Sequence, residues 1–241
     1  MRLSVIIPCY NEEQRLPRTL ESARAWLERH FPDDFEMLLV DDGSTDATPD
    51  IAAEAARAHP AIRLIRQPEN RGKGAAVRRG MLEARGETRL FMDADHSTHV
   101  REVAKALPLI ETGEADIVIA SRQHPDSEIP VRQSWLREHM GKSFNLLMRL
   151  TVGIPMRDTQ CGFKAFSAKA CEVIFPLQRI EGFGFDVELL YLARLKGLTV
   201  TEIPVRWAND DLSRVRMLMD PVRMFTDLIR IRRLHRRDQG P

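Results

Sequence analysis

The chain is short of several things, and each shortage removes a class of protein. No apolar run approaches the ~20 residues that a bilayer-crossing helix requires. The N-terminus passes straight into the apolar run Leu3–Ile7, with no charged leader or cleavage site, so no signal peptide is expected. Cysteine is sparse: Cys9, Cys161 and Cys171 are odd in number and far apart, which excludes a disulfide scaffold and fits a reducing compartment, where they serve as packing thiols. An excess of one charge is missing too. The 36 basic and 35 acidic side chains leave a net charge of +1, unlike the basic balance of a dedicated nucleic-acid binder. A glycine-rich phosphate loop is also absent, because Gly72-Lys73-Gly74 has neither Walker A spacing nor the dinucleotide fingerprint. What remains is a cytoplasmic globular protein without repeats or low-complexity segments.

What is present is a doubly wound pattern. The 241 residues, 43% of them hydrophobic, suffice for one large α/β core. Leu3–Ile7, Glu36–Val40, Ile62–Ile65, Thr88–Met92 and Ala115–Ala120 read as strands apolar on both faces, as a covered parallel sheet requires. Between them, Glu12–Arg29, Thr48–Ala58, Gly74–Arg85 and His99–Thr112 carry apolar residues at helical spacing. Further on, a helix is expected over Val131–Val152, a turn-rich stretch over Gly153–Gly162, a helix over Phe185–Lys196 and a strand over Thr199–Arg206. Residues 1–213 are expected to form one domain. Residues 214–241 form a basic tail, in which eight arginines face only Asp220 and Asp227 between Arg214 and Arg237, and the apolar residues fall close to one helical face. That tail suits either a solvated helix or peripheral contact with an anionic membrane.

Polar residues gather after the strands. Pro8-Cys9-Tyr10-Asn11-Glu12 follows the first, Asp41-Asp42-Gly43-Ser44 the second, Asp93-Ala94-Asp95 the fourth and Ser121-Arg122 the fifth. In an open parallel sheet the carboxyl ends share one edge, and ligands bind there. Two carboxylates separated by one residue can hold Mg²⁺ or Mn²⁺ and bridge it to a diphosphate. Asp186 and Glu188 either reach this edge or form a solvated helix start, and Trp207 either packs or meets a lipid interface.

PCYNEE, VDDGSTDAT, NRGKGAA, MDAD and ASR, in this order, resemble the family 2 inverting glycosyltransferases of the GT-A fold. RDTQCGFKAF, FDVELLYLA and EIPVRW resemble the dolichyl-phosphate glucosyltransferase branch, relatives of the dolichyl-phosphate mannose synthases. The resemblance implies a mostly parallel α/β sheet with helices on both faces. It places Pro8, Tyr10, Asn11, Glu12, Asp41 or Asp42, Lys73 and Asp93 on a nucleoside diphosphate sugar, and Asp95 with Asp93 on the metal. It places Asp158 near the donor sugar, and Arg122, Arg137 and Arg214 on the acceptor phosphate. Ser97 stands where the mannose synthases carry a glutamine.

The implied reaction is metal-dependent inverting transfer of a hexose, glucose first among them, from UDP-glucose to a polyprenyl or dolichyl phosphate at the cytoplasmic face of a membrane. A phosphate monoester has its second pKa around 6, so it is already nucleophilic and needs no protein base. A family 2 enzyme with a GDP-mannose donor or a small-molecule or glycan acceptor is the alternative within the class. Outside it stand a nucleotide-sugar-binding protein and a nucleotidyltransferase. The latter is disfavoured because PCYNEE, not a glycine-rich basic loop, follows the first strand. No nucleic-acid partner is expected.

Overall fold

The structure, a computed structural model, describes residues 1–131, 153–208 and 230–236. In chain order its elements are β1 (Leu3–Cys9), α1 (Leu16–His30), β2 (Phe35–Asp41), α2 (Thr48–Ala58), β3 (Ile62–Arg66), α3 (Lys73–Glu83), β4 (Thr88–Met92), α4 (Val103–Glu111) and β5 (Ile117–Ser121). There follow β6 (Glu128–Val131), β7 (Phe163–Ser167), α5 (Ala168–Ile174), α6 (Phe185–Leu195), β8 (Val200–Pro204) and β9 (Arg206–Ala208), and residues 230–234 are helical.

Seven strands form one sheet in the order β3-β2-β1-β4-β7-β5-β8. All neighbours are parallel except β7, which runs antiparallel between β4 and β5. Because successive side chains on a strand point to opposite faces, one strand feeds two cores. Val5 and Ile7 of β1 join Leu20, Leu27 and Leu107 on the α1/α4 side, while Ile6 joins Val77, Met81 and Ile174 on the α3/α5 side. β1, β2 and β5 are accordingly buried on both faces, whereas the edge strand β3 is half-buried at Arg63 and Leu64, and the mostly parallel sheet with helices on both sides is the observed architecture.

The second half departs from expectation. The antiparallel strand β7 and helix α5 were not anticipated, since Lys164 interrupts the apolar run Phe163–Phe166. The strand expected over Thr199–Arg206 is interrupted at Val205: β8 pairs with β5, whereas β9 leaves the sheet to pair with β6. Val131 closes β6 rather than opening a helix, and the rest of the helix expected over Val131–Val152 lies outside the described residues. His99–Thr112 begins as a 3₁₀ turn over Val100–Glu102, where the His99 ring accepts a hydrogen bond from the Arg101 N–H. Of the basic tail, only residues 230–236 fall within the described residues. Among the described residues no helix is long and apolar enough to cross a membrane.

Candidate active site

The chain leaves β1 for β2 on one side and returns to β4 on the other, so the crevice beyond the carboxyl ends of β1 and β4 is the topological switch point of the sheet. Three loops meet there. The first two are stitched together by side chains: the Asn11 N–H donates to Ser44 Oγ at 2.9 Å, the Thr45 N–H donates to Asn11 Oδ1 at 2.8 Å, and the Glu12 N–H donates to Thr48 Oγ1 at 2.6 Å. Asn11 holds a left-handed φ of 54° to make this junction. Glu12 is bound by its neighbour Arg15, whose Nε donates to Oε2 at 2.6 Å. Pro8 is half-buried in β1, and the Tyr10 side chain stands exposed at the rim.

The adjacent carboxylates Asp41 and Asp42 are both buried, yet they are used differently. Asp42 is saturated. Its Oδ1 accepts from Gln67 Nε2 at 2.7 Å and the Arg71 N–H at 2.9 Å, and its Oδ2 accepts from the Gly72 N–H at 2.8 Å. Burial raises its pKa in spite of these donors. Asp41 Oδ1 accepts from the Ser44 N–H at 3.2 Å, but Oδ2 has no hydrogen-bond donor among the described residues, with Arg66 Nε 3.5 Å away.

Asp93 and Asp95 stand just beyond β4. Asp93 forms an ion pair with Lys73, the first residue of α3. Burial opposes the charge on Lys73, but Asp93 and then Asp186 outweigh it and raise the amine's pKa. Asp95 Oδ1 accepts from the Ser97 N–H at 3.0 Å. Its pKa is raised, first by burial and then by the like charge of Asp93. Gly162 makes room for this pair, since a Cβ there would lie 1.9 Å from Asp93 Oδ2. Among the described residues no group of three or more His, Cys, Asp and Glu side chains forms a ready-made metal cage. Two crowded carboxylates nevertheless fit a hard divalent cation that keeps waters and takes further oxygens from a phosphate-bearing ligand.

Asp158 and Arg122 form a bidentate pair, with Arg122 Nε 2.6 Å from Oδ2 and Nη2 2.9 Å from Oδ1. The Arg122 guanidinium also lies 5.5 Å from the centroid of Trp207, a cation–π distance. Asp158 has no exposed surface, and the nearby positive charge of Arg122 lowers its pKa although burial alone would raise it. Both oxygens of Asp158 are thus engaged by Arg122. Arg137 and Arg214 lie outside the described residues.

The sequence did not single out Lys164 or Gly162, and it left Asp186 and Glu188 open. Lys164, fully buried, forms an ion pair with Asp186, donates to the Cys161 carbonyl at 2.7 Å and lies 5.2 Å from the centre of the Phe91 ring. A lysine inside an apolar strand demands such a partner, and that was the available signal. Asp186 and Glu188 are both buried, so neither belongs to a solvated helix start. Trp207 packs into the core, and all three cysteines are buried thiols, with those of Cys161 and Cys171 pushed up to about 12 by burial.

Residues 4–175 match the family described as glycosyl transferase family 2. The chain is 37% identical over 240 residues to a dolichyl-phosphate beta-glucosyltransferase of Dictyostelium discoideum, covering 95% of this chain and 73% of that one. It is 39% identical over 242 residues to the enzyme of the same name from Drosophila melanogaster, covering 96% and 74%. Among solved structures, glucosyl-3-phosphoglycerate synthase of Mycobacterium tuberculosis, crystallised with Mn²⁺, UDP-glucose and phosphoglyceric acid, aligns with a TM-score of 0.67 at 22% identity, covering 100% of this chain and 80% of that one.

Proposed function

The chain belongs to glycosyl transferase family 2, and from that premise we propose that it transfers glucose from UDP-glucose to a polyprenyl phosphate, with inversion at the anomeric carbon. The observation that carries the proposal is the pair Asp93 and Asp95 at the switch point, where burial and then the like charge of Asp93 raise the Asp95 pKa and Lys73 pairs with Asp93. Relatives at 37% and 39% identity bear the name dolichyl-phosphate beta-glucosyltransferase, which supports both the sugar and the class of acceptor.

Asp41 is the carboxylate for the base, because among the described residues its Oδ2 lacks a hydrogen-bond donor whereas both oxygens of Asp42 are taken by the loop at 67–72. Exposed Tyr10 and half-buried Pro8 offer apolar surface to the nucleotide. Asn11 and Glu12 shape that pocket through the junction of the first two loops. Asp93 and Asp95 would hold Mg²⁺ or Mn²⁺, which when bound supplies positive charge against the growing charge of the departing diphosphate. Lys73 adds a second cation on the same side.

The acceptor phosphate, largely dianionic at neutral pH, supplies its own nucleophilic oxygen. That oxygen bonds to the anomeric carbon as the bond from carbon to the diphosphate oxygen breaks, and UDP leaves with the electron pair. An α-linked donor thus yields a β-linked product without a protein base. Arg122 aligns the acceptor phosphate: a guanidinium carries five N–H donors, Asp158 takes two of them, and 29% of the side chain remains exposed. Asp158 then acts by fixing Arg122 and not by touching the sugar. Arg137 and Arg214 complete the acceptor side, and the basic tail rests on the anionic membrane that carries the lipid.

A ligand bound only by the native state raises the melting temperature. With Mn²⁺ present, UDP-glucose is expected to shift melting more than GDP-mannose or UDP-N-acetylglucosamine. A larger shift with GDP-mannose would reassign the donor.

A further inference from the structure

Away from the crevice, the mechanism leaves the buried ionisable pair of Glu188 and His235 without a role. Glu188 of α6 and His235 of the C-terminal segment have no exposed surface, and His235 Nε2 lies 2.6 Å from Glu188 Oε1. Glu188 also accepts from two consecutive backbone groups, the Arg179 N–H at 2.9 Å and the Ile180 N–H at 2.8 Å. The C-terminal segment is fastened elsewhere too: Arg179 Nη1 donates to the Leu234 carbonyl at 2.7 Å, and Ile231 is fully buried in the α3/α6 core.

The segment that Glu188 grips is in turn fastened to the start of α3. Gln178 Nε2 donates to the Gly74 carbonyl at 2.9 Å and to the Ile180 carbonyl at 3.0 Å, and the Ala75 N–H donates to the Glu181 carbonyl at 3.2 Å. Arg71 pairs with Glu181. The backbones meet so closely that a Cβ at Gly72 would lie 2.5 Å from the Glu181 carbonyl oxygen, and one at Gly74 2.6 Å from that of Ile180. Between those two glycines stands Lys73. Two glycines without side chains, fitted against one loop, fix where the lysine between them projects.

We infer that His235 and Glu188 are positioning residues of the donor site: the C-terminal segment holds residues 178–181, and these hold Lys73 in place against Asp93. The inference rests on the donor reading proposed above and adds to it that the segment after the sheet supports the donor pocket. A buried, hydrogen-bonded network of this kind has one low-energy arrangement, and removing a member leaves its partners unsatisfied. The effect of His235 on the donor should therefore pass through Lys73.

The test is calorimetric titration of UDP-glucose with Mn²⁺ into the full chain, well below the melting temperature of every variant. His235→Ala is expected to weaken binding about fivefold. His235→Gln, which retains a donor at the same reach, is expected to restore most of it. In a Lys73→Ala background, His235→Ala is expected to cost nothing further, because the two act along one route. Arg179→Ala, a milder lesion at the same junction, is expected to weaken binding less, and it carries the test if His235→Ala does not fold. Unchanged affinity in both His235→Ala and Arg179→Ala, with only a lowered melting temperature, would make the junction structural and overturn the inference. An undiminished His235 effect in the Lys73→Ala background would overturn the route through Lys73. Failure of the wild-type chain to bind UDP-glucose would instead defeat the donor reading, and this inference with it.

Discussion

The acidic residues of the first half and those of the second half have opposite fates. Asp41, Asp93 and Asp95, at the ends of β2 and β4, keep unsatisfied or crowded negative charge at the open edge of the sheet. Asp158, Asp186 and Glu188 are buried, and each is met by a partner within the chain: Arg122, Lys164 and His235. Both sets meet cations, Asp93 with Lys73 and Asp41 with Arg66, but Asp93 and Asp95 stay half-buried at the sheet edge, whereas Asp158, Asp186 and Glu188 are buried struts. Lys73 links the two sets, since it pairs with Asp93 and feels Asp186.

Substitutions can break or sharpen that contrast. The largest effect is expected at the open edge: Asp95→Ala should lower glucosyl transfer by about 10³-fold or more, the several kcal/mol expected of a lost metal ligand, with its melting temperature kept. Retained metal-dependent turnover would remove Asp95 from the site. Next comes a strut. Asp158→Ala leaves Arg122 without its partner and should cost about 3 kcal/mol of stability, the low end for a broken buried pair because Arg122 is partly exposed; urea denaturation measures it. A change of less than about 1 kcal/mol would mean that the pair is no strut. Smaller is Gly162→Ala, whose methyl would crowd Asp93 Oδ2. It should raise the Mn²⁺ concentration needed for half-maximal transfer while leaving the fold intact.

The smallest effect is one of sign. Asp95 has a raised pKa, so its contribution to stability is present below the unfolded value and lost as pH rises through the folded one. Asp95→Asn should therefore melt at or above wild type at pH 7, with the gain shrinking in acid. Asp158 has a lowered pKa, so its contribution is present above the unfolded value and lost as pH falls through the folded one. Asp158→Asn should melt below wild type at pH 7, with the deficit shrinking in acid. Equal behaviour of the two variants in a pH series of melting curves would erase the distinction.

The same contrast explains what was legible in the sequence. β4 was readable to the residue, and α2 likewise, because apolar periodicity and the turn signals around them agree. The crevice followed from topology alone: polar loops after parallel strands must converge. Antiparallel β7 was not readable, because Lys164 breaks the apolar pattern that marks a buried strand, and its partner Asp186 lies 22 residues further along the chain. Choosing between Asp41 and Asp42 was equally out of reach. The choice depends on where Gln67, Arg71 and Gly72 deliver their N–H groups, and adjacent aspartates look alike in sequence.

The most direct measurement gives the chain UDP-glucose labelled in the sugar, a divalent cation and a short-chain polyprenyl phosphate, then follows the label into organic extract and reads its anomeric linkage by NMR. Label should enter the lipid phase as a β-linked glucosyl phosphate and stay out when the cation is chelated. Label transferred only to water-soluble acceptors, or an α-linked lipid product, would contradict inverting glucosyl transfer to a lipid phosphate.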